Sequence, residues 1–207
     1  MATATQIIDK AFRLFDEETD SKYEQDGDRT TALELLNDGY FEICLETLCS
    51  RTNATITTTP GTNGVDFPNG FIAVLEVAYN DGYRYLDPIF ESDVAVNKSG
   101  CPTGYVLTGT QFKFNVTPDA AYSYLVDYYT GPTADLTLTE TPTLIPEIWQ
   151  LRVLPHYVLW QLFAIDKREE ISARAPLWRA HYENQLNKMA SYFSGEKRYA
   201  GRSPELG

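Results

Sequence analysis

The sequence predicts an α+β chain: an antiparallel helical bundle formed by its N- and C-terminal helices, interrupted by a small β-sandwich or barrel-like insertion, with an extended C-terminal tail. Three observations carry this. Apolar residues recur at helical spacing up to about Arg51, the composition then turns abruptly to Thr- and Asn-rich strand and turn material (TNATITTTPGTNG), and helical spacing returns at Pro146. Implied segments are 1–51 for the N-terminal helices, 52–131 for the β-rich insertion, 132–145 for a linker, 146–194 for the C-terminal helices and 195–207 for the tail.

A first amphipathic helix is expected over 3–19, with Ile7, Ile8, Ala11, Phe12, Leu14 and Phe15 on one broad face. Residues 20–28 read as a loop; their acids lack the calcium-loop spacing D-x-[DN]-x-[DN]-G, so a solvated charge run is the better reading. Asp28 caps a second helix carrying Ala32, Leu33, Leu36, Tyr40, Ile43, Cys44, Leu45 and Leu48.

In the insertion, strands are expected at Phe71–Tyr79, Tyr83–Ile89, Gly104–Leu107, Gln111–Val116 and Tyr122–Tyr129. Asn80-Asp81-Gly82 forms a hairpin turn, and Thr108-Gly109-Thr110 forms another turn. The Thr- and Pro-rich linker suggests an extended crossing between modules.

Pro146 and Glu147 open a third helix, apolar on nearly every side and therefore central, with Trp160 buried in it and, because Pro155 lies inside it, a kink expected near Leu151–Leu154. A fourth helix over about Ser172–Phe193 places Leu177, Trp178, His181, Tyr182, Leu186, Met189 and Phe193 at helical spacing. GEKRYAGRSPELG, with Gly, Pro and no period, then reads as a tail awaiting a partner.

Composition narrows the function. The chain of 207 residues carries a net charge of −12, distributed as −7 over residues 1–51, −7 over 52–145 and +2 over 146–207. An acidic body disfavours a duplex-binding surface, which needs clustered Lys and Arg. It suits docking of the C-terminal end on an acidic partner, or a passage through which DNA slides without sticking. No secretory signal is read in the first residues, and no apolar run is long enough to span a membrane. Cys44, Cys49 and Cys101 match no metal or redox spacing, so buried thiols acting as small apolar groups are expected for the first two.

Catalytic chemistry finds little support. His156 and His181 lie among apolar neighbours in helical patterns, and no nucleophile elbow, phosphate-cradling glycine loop or zinc-helix motif occurs. Asp87 with Glu91 and Asp93, or Glu169-Glu170, are more simply solvated acids than an acid–base pair. No enzyme activity, cofactor or metal is expected. Tyr79, Tyr83, Tyr85, Tyr122, Tyr128 and Tyr129 raise the alternative of a carbohydrate- or receptor-binding module, against cross-strand packing and subunit contact.

An ordered series of motifs completes the reading: Leu33, Leu36 and Tyr40; Leu86-Asp87-Pro88-Ile89 and Asp93; Gly100, Pro102 and Tyr105; Phe112, Phe114, Pro118, Tyr124, Tyr128-Tyr129 and Pro132; and Ile145-Pro146-Glu147-Ile148-Trp149 before a long apolar helix. In order and spacing over most of residues 28–194, the sequence resembles the head-to-tail connector (adaptor, head completion) proteins of tailed bacteriophages. The Thr-rich stretch 52–64 departs from that pattern.

The resemblance implies a structural protein of the virion neck, assembled in the host cytoplasm. It would form a ring, commonly of twelve copies, that joins the portal protein to downstream tail or neck proteins and lines the path of the genomic DNA without sequence-specific binding and without a membrane. It further implies that Lys197, Arg198, Tyr199 and Arg202 reach the portal, with Leu206 as an apolar anchor.

Overall fold

A computed structural model describes residues 1–19, 26–80 and 84–200. The class is α+β, and the chain divides into two compact units: one takes the chain up to Ser50 and again from Gly131, and the other is Arg51–Thr130.

The first unit is helical. It contains α1 (Ala4–Thr19), α2 (Asp26–Thr47), α3 (Glu147–Ile165), the short α4 (Glu169–Ser172) and α5 (Ala175–Ala200). In α1 the buried residues Ala4, Ile7, Ile8, Ala11, Phe12 and Phe15 recur every three or four positions, so one face of the helix is covered. α3 is the hub, packed by α1, α2 and α5, and it buries Val153, Leu154, Tyr157, Val158, Leu159, Leu162 and Phe163. At one point α2 and α3 come so close that only glycine fits, since a Cβ on Gly39 would lie 2.5 Å from the Tyr157 ring.

Several expectations for this unit change. The fourth helix does not stop at Phe193 but runs on to Ala200, so the extended tail does not begin at 195. One glycine costs a helix about 1 kcal/mol, and Glu196, Lys197 and Arg198, which follow Gly195, are good helix formers. Leu45, Leu177 and His181 face outward although their spacing suggested burial, and Trp160 is only half-buried. Trp149 and Trp178 are the buried indoles, while Trp160 sits at the rim against Tyr157, Tyr182 and Arg179.

Nor is the segment from Gly131 to Ile145 a free crossing. It is strapped to the helices: Ala4 and Thr5 donate their backbone N–H groups to the carbonyls of Glu140 and Leu138, at 2.8 and 3.0 Å. Asn37 exchanges two hydrogen bonds with Leu136, and Leu144 N–H donates to the Tyr40 hydroxyl at 2.9 Å. The first turn of α1 has N–H groups with no partner inside the helix, and carbonyls of the strap accept from two of them.

The second unit is built of short strands: β1 (Arg51–Thr57), β2 (Val65–Asp66), β3 (Phe71–Tyr79), β4 (Asp87–Pro88), β5 (Ala95–Gly100), β6 (Gly104–Thr108), β7 (Gln111–Phe114), β8 (Val116–Pro118) and β9 (Ser123–Thr130), with a 3₁₀ turn at Glu91–Asp93. They form three sheets, in the orders β1-β9-β3, β2-β7-β6-β4 and β5-β8. The Thr-rich stretch thus contributes β1, antiparallel to β9 from Arg51↔Tyr129 to Thr57↔Ser123.

No closed barrel forms among the described residues. The four-stranded sheet ends on β2 and β4, each two residues long, which leaves no edge able to close the ring. The strand expected at Tyr83–Ile89 is likewise reduced. Its start pairs with β3 through Tyr79 N–H to Arg84 O and Leu86 N–H to Val77 O, after which Asp87–Pro88 departs to run parallel to β6. The hairpin turn proposed at residues 80–82, and Tyr83, extend outside the described residues. By contrast the β6–β7 hairpin turns at Gly109, whose φ of +60° is a conformation glycine adopts without strain.

The core of this unit is aromatic. Along β9 the residues Tyr124, Val126 and Tyr128 point inward, alternating with half-buried neighbours, and meet Ile56, Val77, Leu86, Tyr105, Phe112 and Phe114. Phe114 stacks on Tyr124 with centroids 5.6 Å apart, and Phe67, Phe71 and Phe112 form a mutually packed trio.

Candidate interaction surfaces

The helical unit carries two open grooves, and the first follows from a proline. Pro155 lies inside α3 and has no N–H, so the carbonyl of Leu151, four residues earlier, loses its helical donor. Lys10 of α1 fills the vacancy by donating from Nζ to Leu151 O at 2.6 Å. Partial burial, with Arg13 and Arg152 close by, holds the Lys10 pKa below its ordinary value.

The groove around this contact has a volume of about 550 Å³ and is lined by Met1, Gln6, Asp9, Lys10, Glu147 and Leu151, among others. Its two acids are already engaged: Asp9 accepts from Arg29 at 2.7 Å, and Glu147 pairs with the Met1 amino group. The floor beside it is apolar and open, since Ile148 and Leu151 are both exposed on α3.

The second groove, of about 620 Å³, lies along α2 and the start of the strap, with Asp38, Phe41, Glu42, Leu45, Asp135 and Tyr157 in its lining. Asp38, Phe41, Glu42 and Leu45 fall at positions 0, 3, 4 and 7, which makes one outward stripe of the helix. Phe41 is 50% exposed and Leu45 46%. Glu42 is anchored at the stripe's inner edge, accepting from the Tyr182 hydroxyl at 3.0 Å, and burial together with this carboxylate pushes the Tyr182 pKa up. α2 is thus apolar on two sides, toward the core through Leu36, Tyr40 and Ile43 and toward solvent through Phe41 and Leu45. The sequence signal for that second side is the absence of a clean polar face, which a search for one core stripe passes over.

The tyrosines of the β unit are mostly packing residues. Tyr128 is buried, and Tyr79 is half-buried, its hydroxyl donating to Pro102 O; burial and the Cys101 thiol raise its pKa to about 12. Tyr122 donates to Asp119 at 2.6 Å, Tyr129 is half-buried and Tyr85 is exposed. The set does not make a row of open rings among the described residues.

His156 and His181 flank Trp178, with ring centroids 6.2 and 5.3 Å from it. Burial lowers the His156 pKa. Asp87, Glu91, Asp93, Glu169 and Glu170 are all exposed, and no cluster of metal-ligating side chains occurs among the described residues. Cys44 is buried, Cys49 half-buried and Cys101 exposed. No described helix is long and apolar enough to cross a membrane.

Of the residues expected to reach a portal, Lys197, Arg198 and Tyr199 lie on the last backbone turns of α5, and Arg202 and Leu206 lie outside the described residues. A family model described as "SU10 adaptor protein" matches residues 2–204, nearly the whole chain. No curated protein matches it.

Proposed function

Because the chain belongs to the SU10 adaptor protein family, a family of structural phage adaptors, we propose that it is one subunit of a ring that joins the portal vertex of the head to the tail and surrounds the passing DNA. The observation that carries this reading is the match over residues 2–204, which takes in both units and the strap between β9 and α3. Two features support it. A net charge of −12 suits a wall past which DNA slides, since like charge disfavours sticking. The helical unit also leaves apolar side chains open on α2 and α3, as a subunit with neighbours requires.

Lys197, Arg198, Tyr199, Arg202 and Leu206 belong to this proposal as the portal contact. Their segment is the basic-leaning end of an acidic chain, and several such ends in one ring act at high effective concentration.

Electron microscopy of the purified protein mixed with its portal tests the reading. A ring of about a dozen copies seated on the portal is expected, and a protein that stays monomeric and unattached would refute it. Removal of residues 195–207 should leave a folded subunit that no longer attaches; attachment at full strength would remove the tail from the proposal.

A further inference from the structure

The two grooves of the helical unit are opposite in charge, and each has exposed apolar side chains in or beside its lining. On α2 an apolar ridge, Phe41 and Leu45, is flanked by the carboxylates Asp38, Glu42 and Asp135. Between α1 and α3 an apolar floor, Leu151 with exposed Ile148 beside it, is flanked by Lys10 and Arg13, with Arg152 close to Lys10. We propose that these are the two halves of one contact between copies: the Asp38–Leu45 ridge of each subunit seats in the α1–α3 groove of the next. The proposal rests on the ring reading above and names the surfaces that make the ring.

Three observations carry it. Both halves stand on the same chain, so a second copy meets the requirement without any other partner. The acids in the lining of the basic groove are themselves paired, Asp9 with Arg29 and Glu147 with the Met1 amino group. The two grooves share no lining residue. At about 100° per helical residue, Leu151 and Tyr157 of α3 point roughly 120° apart, so the grooves open in different directions.

A contact between two different patches is heterologous: it propagates from copy to copy, and closes into a ring where the rotation allows. In a chain of net charge −12, copies repel at long range. Local pairing of opposite charges therefore selects this orientation over others.

A charge exchange tests the contact. One variant carries Asp38→Lys with Asp135→Lys, the other Arg13→Glu with Arg152→Glu; all four positions are exposed. Light-scattering mass is measured on the full chain, alone and on portal, with thermal melting to verify folding. Each variant by itself should associate at least about tenfold more weakly than the natural protein. Mixed in equal amounts they should assemble again, because every ridge then meets a groove of opposite sign.

Phe41→Asp with Leu45→Asp, which alters the apolar ridge and leaves the rims intact, should also lose association. Folded variants that assemble like the natural protein, or a mixture that stays monomeric, would overturn the proposed faces while leaving the ring itself standing. A natural protein that remains monomeric both alone and on portal would overturn the ring, and this contact with it.

Discussion

The two units solve the problem of burying a core in opposite ways. The β unit is one continuous stretch, Arg51–Thr130, held by a cluster of aromatic rings. The helical unit is assembled from segments on either side of that stretch. Its joints are polar and specific: Gln150, fully buried, accepts from Ala2 N–H at 2.8 Å and donates to Pro142 O and Ile145 O at 3.2 and 2.9 Å. Apolar burial is non-directional, so a contiguous segment can collapse on its own rings. Segments a hundred residues apart need hydrogen bonds that fix where they meet. The aromatic unit turns most of its tyrosines inward, and the helical unit keeps open the grooves through which it is proposed to meet its neighbours.

The largest expected effects are in the two cores. Phe163→Ala in the helical unit and Phe114→Ala in the β unit should each cost about 3–5 kcal/mol, as both rings are fully buried. Amide hydrogen exchange should then rise mainly in the unit that carries the substitution. Equal acceleration in both units for either variant would mean one cooperative body and would break the comparison.

Next comes Gln150→Leu. It takes the partner from the Ala2 N–H and the Ile145 carbonyl and leaves Pro142 O with only the Ile145 N–H, a loss of about 2–4 kcal/mol, measurable as a lower denaturant midpoint. An unchanged midpoint would show that the joint is held by packing alone.

A smaller effect, about 1–2 kcal/mol, is expected for Lys10→Met, which deprives the Leu151 carbonyl of its donor. In a Pro155→Ala background the helix can supply that donor itself, so the same substitution should cost less. A double-mutant cycle with no coupling would refute the link between the proline and the lysine.

The smallest effect concerns pH. Burial lowers the His156 pKa, with Lys10 and His181 nearby adding to the shift, so the folded state favours the neutral ring. The unfolded chain takes up that proton first, near pH 6.5. The contribution is therefore complete above about pH 6.5 and lost as the pH falls toward the lower folded-state value. Melting temperatures of the natural protein and of His156→Gln should converge between about pH 7.5 and pH 5.5; parallel curves would remove His156 as the cause.

Legibility in the sequence followed the range of the interaction. Helical recurrence in α1, the Pro146–Glu147 start of α3 and the Thr108-Gly109-Thr110 turn depend on neighbours within a few positions, and all three stand in the structure. Leu45 and Leu177 carry the same local signal as core residues yet face outward, because which side of a helix is covered depends on where its partners pack. The end of α5 and the short edges β2 and β4 lay beyond local reading for the same reason. Of the surfaces, the acidic body was visible in composition. The basic groove was not, since nothing local joins Lys10 to a carbonyl that Pro155 sets free.

By itself, the amino-acid sequence determined the α+β class, the order of helix, sheet and helix and the acidic balance, which follow from composition and short-range periodicity, while the resemblance to phage adaptors stands on the order of its motifs. Tertiary structure alone decided that the strap binds the helices, that β1 pairs with β9, and that two grooves of opposite charge stand open on one unit. Each of those depends on groups brought together from distant positions, and a linear pattern holds no record of the distance between them.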